Sequence, residues 1–154
     1  VARLVAFGRF VVAADRVMPH DFHLQQQLLG TPVPMEAADA ETVVPVAFAL
    51  LARPQVLLAA AVDGGWLTGP LEDEHAFERA VTWVAAVNGV LTLDAIQVPA
   101  AGLFDTALMA DRLTLDLIRS WGADSSVLDA AAAVVPLTTV QSALEAVQPT
   151  IEEH

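Results

Sequence analysis

The sequence predicts an α+β domain in which an antiparallel β-sheet is flanked by helices and the C-terminal third is helical. Two turn signals predict the sheet: Asp63-Gly64 and Asn88-Gly89 each stand between apolar runs, and such pairs form tight hairpin turns because their residues adopt positive φ readily. The apolar residues after Pro99 recur at helical spacing instead. No repeat period and no low-complexity linker interrupts the 154 residues, so we expect a single domain over residues 1–154.

The N-terminal third contains two expected helices and one undecided segment. Residues 1–17 are mostly apolar, contain few residues that favour turns, and fit either a helix or a strand. We expect a helix to begin near Pro19 and to end at Gly30, because proline suits the first helical turn and glycine the end. A second helix is expected over residues 38–52, ended by Arg53-Pro54, because proline disfavours a helical conformation of the preceding residue.

The central third is expected to supply the sheet, although its second hairpin has a rival. β-branched residues and Trp83 are concentrated before Asn88-Gly89, which favours strand over helix. The alternative is a single helix over residues 71–88 that ends at Gly89. The expected strands are residues 55–62, 66–68, 81–87 and 90–98.

The C-terminal third is expected to be helical. Leucines at positions 103, 108, 113 and 117 recur near helical spacing and predict a helix over residues 103–121. Ser125 or Ser126 is a suitable N-cap for a short helix through residue 133. Pro136 is a suitable start for a last helix through residue 147.

The charge and the missing residue types exclude several classes of function. Nineteen acidic residues face seven basic ones, all arginine, for a net charge of −12, and the chain has no lysine or cysteine. There is therefore no thiolate nucleophile, no disulfide, no P-loop lysine and no Schiff base. Nucleic acids and anionic membranes are unfavourable partners, because the scattered arginines cannot neutralise phosphates. The most apolar stretch, residues 42–62, is interrupted by Arg53-Pro54, so we expect no membrane span and a cytoplasmic location.

Three polar groupings are candidates for chemistry, and each is better explained as exposed polarity. Glu72-x-x-His75 has di-iron spacing, but such sites need a second motif. His20 and His23 point to no third metal ligand. The acidic group, which comprises Glu72, Asp73, Glu74 and Glu78, lacks the spacing of a calcium loop. We therefore expect no catalytic residue, no metal site and no cofactor.

The hydropathy indicates a binding surface. The mean hydropathy of +0.54 indicates more apolar surface than one small core can bury. Part of that apolar surface is therefore expected to meet a partner. Trp66 is included in that surface, because tryptophan is enriched where partners bind.

Several apolar blocks resemble a family of secretion chaperones. Leu50-Leu51-Ala52-Arg53-Pro54 precedes an apolar run that ends in Asp63-Gly64-Gly65. The blocks at residues 79–87 and 91–98 are similar to a Trp-Val-x-Ala-Val strand and a following Leu-Thr-Leu-Asp strand, and the helix at 103–121 continues the likeness. Over about residues 50–120, the chain resembles the EspG-type cytosolic chaperones of mycobacterial type VII (ESX) secretion.

The resemblance implies a function, a partner and a site. Such chaperones bind the apolar helical tip of a PPE protein within a PE–PPE heterodimer and keep this cargo soluble. The family consists of two related halves and this chain matches one, which implies a possible homodimer. The family's partner-binding loop corresponds to residues 68–78, in which apolar anchors would lie within a polar rim. The expected partner-binding residues are Trp66, Thr68, Gly69, Pro70, Leu71, Glu72, Asp73, Glu74 and Phe77.

Two other functions remain open on the sequence alone. An acidic immunity or inhibitor protein would use the charge of −12 to attract and mask a basic partner. A small-molecule enzyme would work through Asp or Glu carboxylates and His.

Overall fold

Helices form the fold that a computed structural model describes over residues 1–20, 37–69, 73–93 and 105–147. They are α1 (Ala2–Val17), α2 (Ala37–Asp63), α3 (Asp73–Leu91), α4 (Thr106–Ser120), α5 (Ser125–Val134) and α6 (Leu137–Val147).

The predicted antiparallel sheet is wrong, because the described residues contain no β-strand. Residues 55–62 belong to α2, residues 81–87 belong to α3, and residues 66–68 form part of the α2–α3 connection. Of the fourth expected strand, residues 90 and 91 end α3, and residues 94–98 lie outside the described part of the chain. The protein is therefore helical rather than α+β.

The spacing of buried residues explains why α3 is a helix. Ala76, Ala80, Trp83, Val87 and Leu91 are all buried, and their spacing of three or four residues places them on one helical face. Asn88-Gly89 lies inside this helix and makes no turn. The structure thus agrees with the helical alternative for this segment, although α3 continues through Gly89 to Leu91. Tertiary burial of one face overrides the strand preference of its valines.

The α2 helix continues through two prolines. Pro45 and Pro54 both lie within it, so the expected end at Arg53-Pro54 is wrong. A proline inside a helix costs about 3 kcal/mol through a lost hydrogen bond and a steric clash. Pro54 is fully buried, and its burial together with that of Leu58 and Ala61 offsets that cost.

The order of side-chain contacts along the chain shows how α4 runs relative to α1 and to α3. Arg16 near the end of α1 pairs with Asp105 at the start of α4, and Arg9 pairs with Asp111 further along. These helices are therefore antiparallel. The guanidinium of Arg79 lies over the Trp121 ring, while Trp83, one turn further along α3, bonds Thr114, so α3 and α4 are antiparallel too.

The core lies where α1, α3 and α4 meet. The Trp83 indole Nε1 donates to Thr114 Oγ1 at 3.1 Å in a fully buried contact. The Trp83 ring meets Phe7 and Trp121 edge-on at centroid distances of 5.5 and 6.3 Å. Gly8 allows α1 to approach Thr114 and Trp83 closely, because a Cβ at this position would lie 2.5 Å from Thr114 Cγ2.

The C-terminal helices confirm the periodicity argument. The expected helices over 103–121, 125–133 and 136–147 correspond to α4, α5 and α6. The undecided segment at residues 1–17 contains α1. Most of the helix expected from Pro19 to Gly30 lies outside the described residues.

Candidate partner-binding surface

Trp66 lies on a short turn that the end of α2 holds in place. The backbone N–H groups of Trp66 and Leu67 donate to the Ala61 carbonyl at 2.8 and 3.1 Å. Gly65 has a φ of 70°, which glycine adopts without strain. Leu67 is buried, whereas Trp66 is 54% exposed. The turn therefore anchors itself through Leu67 and leaves the indole of Trp66 in solvent.

Thr68 ties this turn to the end of α4. Its backbone N–H and its hydroxyl both donate to the Trp121 carbonyl, at 2.8 and 3.0 Å. Arg79 Nη2 donates to the Thr68 carbonyl at 2.7 Å. Gly122 has a φ of 96°, and a Cβ there would lie within 3.0 Å of the Thr68 side chain. Thr68 consequently holds the turn in place, and the partner contact expected of it stays a prediction.

The rest of the expected partner-binding loop divides into described and undescribed parts. Gly69 has a φ of 131° and lies against Arg79. Asp73 begins α3, and Glu74 is exposed on its first turn. Pro70, Leu71 and Glu72 lie outside the described residues. Their role in partner binding stays a prediction.

Phe77, the second expected apolar anchor, is half-buried. Its ring stacks on Phe48 with a centroid distance of 6.0 Å and an interplanar angle of 12°. Phe48 is 57% exposed. The pair is a separate aromatic surface between α2 and α3.

Trp66 also forms one wall of an apolar groove of about 320 Å³. Val134, on the rim, is 77% exposed, whereas Ala131 is buried. The groove is near the lower limit of small-molecule sites, which usually also contain a few polar groups. All of its lining side chains are apolar: Val1, Ala2, Trp66, Val127, Ala130, Ala131 and Val134.

Helix α5 is fixed at its start by an N-cap. Asp124 accepts from the backbone N–H groups of Ser126 and Val127 and from the Ser126 hydroxyl. The Ser126 hydroxyl, followed by the two backbone N–H groups, lowers the pKa of the Asp124 carboxyl from its ordinary value. The cap is therefore Asp124, one residue before the expected Ser125.

A buried arginine fixes the other end of α5. Arg9 on α1 is 7% exposed, and its Nε and Nη2 donate to the two carboxylate oxygens of Asp111 at 2.7 and 3.0 Å. Its Nη1 donates to the Ala132 carbonyl at 2.6 Å and also to the Val135 carbonyl. These are unpaired carbonyls of a helix end, where a cation is favourable. Arg9 thereby sets the position of α5 relative to α1.

The stretch Ser125–Val147 is apolar and long enough to be a candidate membrane span by length and composition, with 11% of the window buried. In the structure it is divided into α5 and α6, which rise about 15 and 17 Å, each less than the ~30 Å of a bilayer core. This is weak support for a membrane location.

No group of three or more His, Asp or Glu side chains that could hold a metal ion occurs in the described part of the chain. Glu72, which belongs to two of the three candidate groupings, and His23, which belongs to the third, fall outside it.

Sequence reasoning missed the groove and the Arg9–Asp111 pair. Val127, Ala130, Ala131 and Val134 follow the i, i+3, i+4, i+7 spacing of one helical face, which was a readable signal. Their convergence with Trp66 and the start of α1 depends on packing between segments distant in sequence. The same is true of Arg9 and Asp111, which lie 102 residues apart.

No protein-family model matches the sequence, and no curated protein and no solved structure is similar to the chain at a significant level. The geometry and chemistry of the surface are therefore the basis for the function.

Proposed function

We propose that the protein is a non-catalytic binding protein that takes an apolar helical segment of a partner protein into the groove between Trp66 and α5. The observation that carries the proposal is a groove whose lining side chains are all apolar, with an exposed tryptophan as one wall. Tryptophan is enriched among the residues that dominate binding energy.

The pattern on α5 favours a helical occupant. Val127, Ala130, Ala131 and Val134 form the spacing by which one helix packs against another. The central alanines are small, so that a second helix axis can approach closely. Asp124 and Arg9 hold α5 at its two ends, so the groove wall is already in place before a partner arrives, which lowers the entropic cost of binding.

An apolar helical segment is also the kind of partner that the EspG resemblance implies. A cytosolic secretion chaperone for a PE–PPE-type cargo is the specific form of this function. The apolar run before Asp63 lies in α2 and residues 79–87 lie in α3, whereas residues 94–98 of the other block lie outside the described residues. We therefore propose an apolar helical segment as the partner and leave the cargo unnamed.

The test uses a panel of uncharged helical peptides that contain no tryptophan. Each peptide has Leu or Ala at i, i+3, i+4 and i+7 and Gln elsewhere, and the panel varies the size of the apolar side chains. Binding that covers Trp66 should blue-shift the fluorescence, and Trp66→Phe should abolish the shift. We expect at least one peptide to bind, with an affinity that changes little as salt is raised.

Two alanines of α5 supply matched variants. Ala130 lines the groove, whereas Ala133 is exposed elsewhere on the same helix. A charge in the groove must be desolvated by an apolar occupant, so Ala130→Glu should abolish peptide binding and Ala133→Glu should leave it intact. Equal effects of the two variants would contradict the proposal. Tighter, strongly salt-dependent binding of Lys-rich peptides, insensitive to Ala130→Glu, would favour the acidic-inhibitor function.

A further inference from the structure

Proline alone does not end helices in this protein. The α2 helix continues through Pro45 and Pro54, although a proline lacks a backbone donor and disfavours a helical conformation of the residue before it. Between α5 and α6, by contrast, the helix ends before Val135, whose φ of −121° and ψ of 69° are not helical. Pro136 follows directly. The break between α5 and α6 therefore needs a cause in addition to Pro136.

Arg9 occupies the two carbonyls at this break. Its Nη1 donates to the Ala132 carbonyl at 2.6 Å and also to the Val135 carbonyl. In a continuous helix the Ala132 carbonyl would lack a partner, because Pro136 has no N–H. The Val135 carbonyl would accept from Thr139, whose N–H instead donates to the Pro136 carbonyl at 3.1 Å. Arg9 thus supplies one bond that proline cannot make and replaces another that a continuous helix would make.

We propose that residues 125–147 are a latent single helix that Arg9 holds bent at residues 132–136, the joint. With the guanidinium in the joint, α5 and α6 are separate helices. Without it, the same stretch of 23 residues joins into one helix, as α2 does despite its two prolines. The arginine of α1, rather than Pro136, then decides between the two conformations.

The contacts of α6 with the rest of the protein leave the joint as its main attachment. Helix α6 packs against α1, but none of its residues is buried, and its contact side chains Leu137, Val140 and Leu144 are only half-buried. Arg9, by contrast, is 7% exposed and donates through all three of its side-chain nitrogens. Loss of the guanidinium should therefore be enough to let α6 realign with α5.

Spin labels measure the bend directly. The chain has no cysteine, so Ser125→Cys and Ala146→Cys introduce two unique labelling sites, and both positions are exposed. In a straight helix these positions are about 32 Å apart along the axis, at about 1.5 Å per residue. A bend between them shortens this distance. Double electron–electron resonance on the labelled full chain therefore distinguishes the bent conformation from the straight one.

Two variants separate the effect of the arginine from that of the proline. Pro136→Ala restores a backbone donor but leaves Arg9 in the joint, so we expect it to keep the label distance of the parent protein. Arg9→Met combined with Asp111→Leu removes the guanidinium without leaving a buried carboxylate unpaired. We expect this double variant to show a second, longer distance near that of the straight helix. Adding Pro136→Ala to it should make the longer distance the dominant one.

Arg119→Met is the matched control, because Arg119 forms an exposed pair with Asp116 within α4 and should leave the label distance unchanged. A longer distance in the Pro136→Ala protein would overturn the proposal. So would a parent protein that is already straight, or an unchanged distance in the double variant while its circular dichroism remains helical. If the double variant unfolds, Pro136→Ala still decides, since a retained bend supports the proposal and a lost bend refutes it. No peptide enters these measurements, so the proposed function is tested separately.

Discussion

Removing Asp111 perturbs the buried charge that joins α1, α4 and the end of α5. Arg9 is 7% exposed, and the side chain of Asp111 is 13% exposed. Asp111→Ala leaves the guanidinium with the carbonyls of Ala132 and Val135 but without a counter-ion. Breaking a buried pair in this way costs about 3–5 kcal/mol. Because two carbonyl acceptors remain, we expect a loss near 3 kcal/mol.

The double variant separates pairing from burial. Arg9→Met combined with Asp111→Leu removes both charges, so no unpaired ion remains and only the two carbonyls lose their donor, at about 1–3 kcal/mol each. The double variant should therefore be more stable than the sum of the single substitutions implies, by about 2 kcal/mol or more. Arg119→Ala is the control, because Arg119 and Asp116 form an exposed pair expected to contribute less than about 0.5 kcal/mol.

Urea denaturation followed by far-UV circular dichroism measures these differences. We expect Asp111→Ala to lower the denaturation midpoint far more than Arg119→Ala. A loss for Asp111→Ala as small as that of the control would refute the reasoning, as would strict additivity in the double variant. Either result would mean that Arg9 and Asp111 are not energetically coupled in the folded protein.

Three other outcomes follow from the packing and the cap. Gly8→Ala should cost about 1–3 kcal/mol in denaturation, because its Cβ would meet Thr114, and Thr114→Ser should recover part of the loss by removing Cγ2 while keeping the hydroxyl that accepts from Trp83. Asp124→Ala should lower the melting temperature at neutral pH through loss of the α5 cap. Since the folded-state pKa of Asp124 is lowered, its stabilisation is present above the unfolded pKa of about 3.9 and is lost as pH falls through the folded pKa, so wild type and variant should converge in acid. Trp66→Ala should change the free energy of unfolding little, since the side chain is 54% exposed. It should nevertheless abolish the binding of groove peptides, measured by calorimetry because the variant lacks the Trp66 fluorescence.

The parts of the fold that were predictable are those governed by local signals. The leucine spacing in α4 and the polar residues before α5 predict helices, because amphipathic periodicity and capping act within one or two turns. In α3, by contrast, valines, Trp83 and Asn88-Gly89 all favour a hairpin locally. The contacts of Trp83 with Phe7 and Thr114 stabilise the helix instead. Both contacts join residues that are far apart in the chain, so the local sequence does not reveal them.

The candidate surface was predictable only in part. Trp66 was expected to meet a partner, and the structure leaves its side chain in solvent. The opposite wall consists of α5 residues that no sequence motif connects to Trp66. The bonds of Thr68 to Trp121 join segments far apart in the chain, so no local signal could predict them, and the partner contact expected of Thr68 stays a prediction.

The most direct test of the groove as the binding site is an amide chemical-shift map of the chain with a bound peptide from the uncharged panel. We expect perturbations at Trp66, at α5 from Val127 to Val134, and at the start of α1, with Phe48 and Phe77 unaffected. Perturbations centred on the stacked Phe48–Phe77 pair, with α5 unchanged, would contradict it.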